Sequence, residues 1–171
     1  MSDGTYAGVR MWMQIAVVGG SEASPAVLAD AETTGHALAS AGATLVCGGL
    51  GGVMAAACRG AKLAGGLTVG ILPGADRSAA NQWVDLVIPT GLGEARNLLV
   101  VRSSAAVIAI DGEHGTLSEI AFALRARIPV IGLGTWSLIR PDGAVDEGIV
   151  PAATPTEAVA TALRLASSGR E

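Results

Sequence analysis

Short uninterrupted runs of apolar residues alternate along the chain with longer segments in which apolar residues recur every three or four positions. The short runs are rich in Val, Ile, Leu and Ala, which is typical of strands that are buried on both faces. The longer segments are typical of amphipathic helices. The predicted strands cover residues 13–18, 43–47, 67–72, 84–88, 105–110 and 129–133, and the predicted helices cover 24–42, 53–64, 91–103, 116–126 and 154–167.

This order of elements predicts an α/β fold: a single-domain, Rossmann-like, doubly wound parallel sheet with helices on both faces. We assign the domain to residues 13–168 and interpret residues 1–12, which lack periodicity, as a flexible N-terminal segment. Residues 134–150 are predicted to be irregular. Right-handed crossovers would place the strand-to-helix loops along the carboxyl edge of the sheet, where such folds bind ligands.

Three of the predicted helices begin with capping signals. Ser24 precedes Pro25, which suits the first helical position. Residues 154–157 read Thr-Pro-Thr-Glu, a capping box with proline at its first position. Thr116 and Glu119 have the same Thr-x-x-Glu spacing, so one interpretation of Glu119 is a helix cap.

Glycine is concentrated in four loops on the predicted carboxyl edge, at residues 19–21, 48–52, 91–93 and 112–115. Glycine lets the backbone approach a ligand closely, and a helix N-terminus offers free N–H groups to an anion. One such loop is often a tight turn and nothing more, but several on one edge predict a phosphate site. The loops lack the Gly-Lys-Ser/Thr sequence of a Walker loop and the acidic residue of a dinucleotide fingerprint.

Two arginines and one glutamate are candidates for chemistry at this edge. Arg96 and Arg102 lie on the helix that follows the third glycine loop, and either side chain could bind a phosphate in a bidentate manner or lie in solvent. Besides capping its helix, Glu119 could bind ribose hydroxyls or stabilise an oxocarbenium-like centre and activate water. The residues alone leave these alternatives open.

Composition and charge narrow the range of functions. The formal net charge is −4 and no basic cluster is present, so we expect no nucleic-acid partner. The sequence has neither an apolar run long enough for a membrane span nor a secretory signal, so we expect no membrane partner and a cytoplasmic location. Cys47 and Cys58 fit a reducing compartment, and with two distant His they show no metal-ligand spacing, so we expect no metal site.

Two segments resemble the signature motifs of the Lonely Guy-like Rossmann superfamily. Residues 45–54, LVCGGLGGVM, resemble its VxGGGxxGxM loop, and residues 111–119, DGEHGTLSE, resemble its PGGxGTxxE motif. Residues 95–97 and 104–109 fit the same pattern, and the resemblance covers residues 13–165. It implies a small phosphorylated ligand and a homodimer or homotetramer.

The superfamily implies two kinds of function. One branch consists of carriers of the molybdenum cofactor, a phosphorylated pterin. The sequence of residues 95–97 and 115–124 is more similar to that branch. The other consists of phosphoribohydrolases that release free base and ribose 5-phosphate from a nucleoside 5′-monophosphate; Arg96 and Glu119 would then be catalytic. A third hypothesis is a decayed site in a protein that acts by assembly. We do not expect lysine decarboxylation, because no Lys follows a Schiff-base pattern and the chain is short for such an enzyme.

We therefore expect a ligand-binding or carrier protein whose bound ligand is the molybdenum cofactor or a nucleoside monophosphate. The residues assigned to ligand or phosphate binding are Gly19, Gly20, Ser21, Gly48, Gly49, Gly51, Gly52, Met54, Arg96, Asn97, Gly112, His114, Gly115 and Thr116.

Two departures from the superfamily pattern bear on this assignment. Its Pro-Gly-Gly is Asp111-Gly112-Glu113 here, and the basic residue that often follows the hydrolase arginine is Asn97. A carboxylate about 4 Å from a phosphate costs roughly 4 kcal/mol at an effective dielectric constant of about 20. Asp111 and Glu113 must therefore point away from a phosphate or pair with an arginine.

Overall fold

A computed structural model of the protein describes residues 5–6, 9–10 and 13–168. Its strands are β1 Thr5–Tyr6, β2 Val9–Arg10, β3 Gln14–Gly19, β4 Thr44–Cys47, β5 Thr68–Leu72, β6 Leu86–Pro89, β7 Ala106–Ile110, β8 Val130–Leu133 and β9 Ile149–Ala152. Its α-helices are α1 Pro25–Ser40, α2 Gly52–Leu63, α3 Asn97–Arg102, α4 His114–Arg125 and α5 Pro155–Ser168.

The apolar strands form one seven-stranded, all-parallel sheet in the order β6-β5-β4-β3-β7-β8-β9. The predicted fold class is confirmed. β1 and β2 pair separately and antiparallel. The remaining residues of the predicted flexible segment 1–12 lie outside the described residues, so that flexibility stays a prediction.

Alternate residues of the central strand pack into the two helical layers. Ile15 and Val17 belong to the core cluster that contains α1, α2 and α5 residues. Ala16 and Val18 belong to the opposite cluster, with residues of α3 and α4. A strand that is buried on both faces has no polar positions, which is why the sequence shows unbroken apolar runs.

The strand order reverses at β3, which pairs with β4 on one side and β7 on the other. The connections that leave β3 and β7 therefore diverge and open a crevice at the carboxyl ends of these strands. This topology determines where a ligand site can form.

Two predicted capping signals are confirmed. Ser24 Oγ accepts a hydrogen bond from Val27 N, with Pro25 opening α1. Thr154 Oγ1 accepts from Glu157 N, and the Glu157 carboxylate accepts from the N–H of Ala153. Both signals act within one turn of chain, so local sequence suffices to set them.

Two predicted boundaries are wrong. The helix expected from residue 91 is a 3-10 turn, Gly93–Arg96, followed by the short α3. Residues 134–150 were expected to be irregular throughout, but β9 begins at Ile149. β9 is an edge strand that contains Pro151, and a short strand with proline gives little signal until its neighbour is known.

Helices α1 and α2 pack closely because glycines stand at their contact. A Cβ atom at Gly35 would overlap the carbonyl oxygen of Ala57, and one at Gly60 would overlap that of Glu32. The helix axes can approach only where these side chains are absent.

We predict that Gly35→Ala lowers the free energy of unfolding by about 1–3 kcal/mol, because the added methyl group forces the helices apart. Gly115→Ala is the matched control: Gly115 is also helical, but a Cβ there meets nothing within 4 Å. Urea unfolding measures both variants, and equal stability of the two would contradict this account of the helix contact.

Candidate functional site

The crevice at the carboxyl ends of β3, β4 and β7 holds a pocket of about 300 Å³, which we call the crevice pocket. Residues from four glycine loops and from α4 line it. Ten of the residues predicted to bind ligand or to catalyse line it: Gly19, Gly20, Ser21, Gly48, Met54, Arg96, Asn97, Gly115, Thr116 and Glu119. The volume is at the lower end of the range for small-molecule sites.

Five predicted residues do not line the crevice pocket: Gly49, Gly51, Gly52, Gly112 and His114. Gly49 N donates to Cys47 Sγ at 3.3 Å. The N-terminus of α2 is covered by the first glycine loop, since Val53 N donates to Gly20 O at 3.0 Å. Gly49 and Gly52 therefore let the second glycine loop pack closely against the neighbouring backbone.

The N-terminus of α4 is the open one. α4 begins at His114, so Thr116 and Glu119 lie inside the helix, and the capping-box interpretation of Glu119 is wrong. Glu113 occupies the cap position without a side-chain cap bond. Gly115 has open space where a Cβ would stand and lines the crevice pocket. A first turn of this kind can receive an anion on its backbone N–H groups.

Among the described residues, Arg96 is the one cation that lines the crevice pocket, and it is only 7% exposed. Its Nη1 donates to Asn97 Oδ1 at 2.7 Å, and its Nη2 lies 3.4 Å from the carbonyl oxygen of Gly48. Its Nε is buried and has no hydrogen-bond partner among the described residues. A buried donor without an acceptor is costly, so an incoming acceptor would bind favourably there.

Asn97 links this arginine to α4. Its Nδ2 donates to Ser118 Oγ at 3.2 Å, and Ser118 Oγ donates to Gly115 O at 2.7 Å. Asn97 therefore orients the Arg96 guanidinium relative to the open turn of α4. Arg102, the other predicted arginine, is exposed at the end of α3 and does not line the pocket.

Gly48 makes room for the guanidinium. A Cβ at this position would lie within 2.8 Å of three guanidinium atoms of Arg96. The second glycine loop is thus fitted to the arginine side chain as well as to any ligand.

Glu119 is 6% exposed, and its Oε1 lies 3.7 Å from Arg96 Nη1. Burial raises the pKa of the Glu119 carboxyl to about 7, and the positive charge of Arg96 opposes that rise. Burial lowers the pKa of the Arg96 guanidinium, and the charge of Glu119 opposes that change. At neutral pH, Glu119 can therefore gain or lose a proton at little cost.

Acidic residues outnumber the cation around the pocket. Glu94, Glu113 and Glu119 line it together with Arg96. Glu94 and Glu113 are exposed, so their carboxylates can turn to solvent. Asp111 does not line the pocket; it adopts a positive φ of 49° and its carbonyl oxygen accepts from Thr135 Oγ1.

Sequence reasoning missed six lining residues: Val18, Leu50, Pro73, Gly93, Glu94 and Glu113. Five of them lie in the predicted glycine loops or next to one, so proximity to those loops was an available signal. Pro73 enters from the end of β5, and nothing in its local sequence marks it.

The thiols and histidines form no metal centre in the described part of the chain, where no group of three or more His, Cys, Asp or Glu side chains could hold an ion. Cys47 and Cys58 are buried free thiols with their sulfur atoms 3.5 Å apart. His114 packs its ring against Trp136, with centroids 5.8 Å apart, and is not among the residues that line the crevice pocket. Within the described residues, no helix is long and apolar enough to cross a membrane.

The chain belongs to the SLOG cluster4 family, whose model matches residues 12–159. The family resemblance stated from the two glycine motifs is thereby confirmed. An uncharacterised protein of Archaeoglobus fulgidus is 43% identical over 147 residues, which are 86% of this chain and 92% of that protein.

Two similar solved structures are named for the molybdenum cofactor. The molybdenum cofactor binding protein of Rippkaea orientalis is 34% identical, with a TM-score of 0.82, over 92% of this chain and 99% of that one. The molybdenum cofactor carrier protein of Chlamydomonas reinhardtii is 34% identical, with a TM-score of 0.80, over the same shares, 92% and 99%. The likeness extends over nearly all of both chains.

We predict that Gly48→Ala displaces the Arg96 guanidinium and lowers the free energy of unfolding by about 1–3 kcal/mol. Gly51→Ala is the matched control in the same loop, because a Cβ at Gly51 meets only Ser21 O, at 3.6 Å. Chemical unfolding compares the two, and a Gly48→Ala variant as stable as Gly51→Ala would show that the close approach is unimportant.

We also predict a pH-dependent contribution of Glu119 to stability. Its pKa is about 7 in the folded protein against a reference value of 4.5, so the folded state retains a proton that the unfolded state loses. The stabilisation that comes from this retained proton amounts to roughly 3 kcal/mol. It is fully present below the pKa of the unfolded state and is lost as the pH rises through about 7.

Glu119→Gln removes this titration. The free energy of unfolding of Glu119→Gln minus that of the unmodified protein should therefore be larger at pH 8 than at pH 4.5. Asp30→Asn, on an exposed position of α1, is the control. A difference for Glu119→Gln that is constant with pH would contradict the prediction.

Proposed function

We propose that the protein binds a phosphorylated pterin of the molybdenum-cofactor kind in the crevice pocket and acts as a carrier. The observation that carries the proposal is the buried guanidinium of Arg96, whose Nε lacks a partner among the described residues at the wall of an open pocket. Nearly full-length likeness to a molybdenum cofactor binding protein and a molybdenum cofactor carrier protein supports the choice of ligand.

The proposed place of the phosphate is between Arg96 and the first turn of α4. Charge-assisted hydrogen bonds from a guanidinium and backbone N–H groups at a helix start both favour phosphate oxygens. Glu119 adjoins this place, but its carboxyl has a pKa of about 7. A phosphate that enters beside it would cause Glu119 to take up a proton, which removes the repulsion at small cost.

The exposed carboxylates bear on the remainder of the ligand. Glu94 and Glu113 disfavour a ligand that is only an anion. The amino-pyrimidinone edge of a pterin carries N–H donors, and carboxylates accept such hydrogen bonds. A ligand with a phosphate at one end and a donor edge at the other therefore suits this lining better than inorganic phosphate does.

Hydrolysis of a nucleoside monophosphate is the alternative that the same protein preparation can test. In that reaction Arg96 would bind the phosphate and Glu119 would act at the ribose. The charged atoms of the two side chains lie 3.7 Å apart, so each charge interacts with the other. Under the carrier proposal, Glu119 pairs with Arg96 until a phosphate enters and then takes up a proton, and the protein turns nothing over.

We predict that the protein retains molybdenum cofactor released from a molybdoenzyme when the mixture is passed through a gel-filtration column. Arg96→Ala should weaken retention by about tenfold to a hundredfold, because a charge-assisted hydrogen bond is lost. Arg102→Ala is the matched control, since Arg102 is exposed and outside the pocket. Equal retention by both variants would refute the assigned site.

The same preparation incubated with nucleoside 5′-monophosphates should release no free base. Base release that is abolished in Glu119→Gln would overturn the carrier proposal in favour of the hydrolase. Circular dichroism of each variant separates loss of binding from loss of fold.

A further inference from the structure

A second and larger cavity, of about 690 Å³, lies beside the edge strand β9. It is bounded by β8, β9 and the connection between them, residues 134–148, which contains no helix. We call it the edge cleft and define it by Thr135, Trp136, Val145, Glu147, Ile149 and Pro151. The crossover from β8 to β9 is irregular chain, so no helix of this connection packs against the two strands here.

The edge cleft is separate from the crevice pocket, because the two share no lining residue. They adjoin across the loop that precedes α4. Thr135 Oγ1 donates to Asp111 O at 2.6 Å, and the ring of Trp136 lies against that of His114. The two cavities are thus neighbours, but different residues line them.

The surface of the edge cleft is mostly apolar, and the charged side chains that line it are acidic. Val145, Ile149 and Pro151 provide aliphatic surface. Asp146 and Glu147 also line the cleft, whereas none of its lining residues is Lys or Arg. A cavity of this composition is complementary to a ligand that is apolar and positively charged.

The two carboxylates differ in their availability. Asp146 accepts from Gly148 N at 2.8 Å and pairs with Arg140 at 3.3 Å. Glu147 is exposed and makes no hydrogen bond or ion pair with any described residue. Glu147 is therefore the group that can take up a cation from solution.

Trp136 provides a further recognition element. Its indole Nε1 is buried and has no acceptor among the described residues. Tryptophan usually finds a partner for this N–H when it is buried, and its ring face is the most favourable one for a cation. An acceptor atom on a ligand would satisfy the indole N–H.

We infer that the edge cleft is a second ligand site that takes a small organic cation with a flat apolar body and a hydrogen-bond acceptor. The body packs on Ile149 and Pro151, the positive charge lies toward Glu147, and the acceptor lies toward the indole N–H of Trp136. The inference does not depend on the ligand of the crevice pocket, since different residues form the two sites.

The test uses the full chain and follows the indole Nε1–H signals in a proton–nitrogen NMR spectrum, in which Trp136→Phe identifies the Trp136 signal. The probes are tyramine, which has the charge and the acceptor, and 3-(4-hydroxyphenyl)propionate, which has the same ring and the opposite charge. Tyramine should shift the Trp136 signal saturably, and the acid should bind at least about fivefold more weakly.

Glu147→Gln should weaken tyramine binding by about fivefold, the effect of one exposed ion pair. Asp142→Asn is the matched control, because Asp142 lies in the same connection but does not line the cleft. Absence of a saturable shift with tyramine, equal binding of the amine and the acid, or no change in Glu147→Gln would each overturn the inference.

Discussion

The candidate site depends on the burial of one guanidinium. Arg96 is held by Asn97, by the backbone at Gly48 and by the charge of Glu119, and each of these groups comes from a different part of the chain or a different element. Burying a charge is unfavourable unless it is paired and hydrogen-bonded. The arrangement of the second glycine loop, the short helix α3 and α4 around Arg96 meets this requirement almost completely, and among the described residues only Nε of the guanidinium is left without a partner.

The same constraint assigns different roles to the glycine loops. At α2 the helix start is closed by the carbonyl of Gly20, and Gly52 permits that contact because a Cβ would meet the backbone of Gly20 and Ser21. At α4 the first turn remains open to the crevice pocket. Glycine at a strand-to-helix junction can thus permit either close contact between two backbone segments or close approach of a ligand. The sequence pattern is the same in both cases.

The balance of charge separates the two cavities chemically. The crevice pocket combines one buried cation with carboxylates, of which Glu119 readily changes its protonation state near neutral pH. The edge cleft has carboxylates and apolar surface without a lining cation. The first cavity therefore presents a buried cation within a mostly acidic lining, whereas the charged groups that line the second are all acidic. Both lie next to the loop at Asp111: Glu113 lines the crevice pocket, and Thr135 of the edge cleft donates to Asp111 O.

The sequence by itself determined six of the seven strands of the sheet, the capped starts of α1 and α5, and the place of Arg96 and Gly48 at one edge. These follow from local periodicity, from short-range capping and from the family motifs. It left Glu119 open between a helix cap, which its spacing from Thr116 suggests, and a role at the ligand edge; the tertiary structure begins α4 at His114, which excludes the cap, and buries Glu119 against Arg96. The closure of the α2 start, the entry of Pro73 into the pocket, the edge strand β9 and the edge cleft were likewise decided only in three dimensions. Each depends on contacts between segments that are far apart in the chain. The local sequence of a segment does not indicate which distant backbone or charged group will contact that segment.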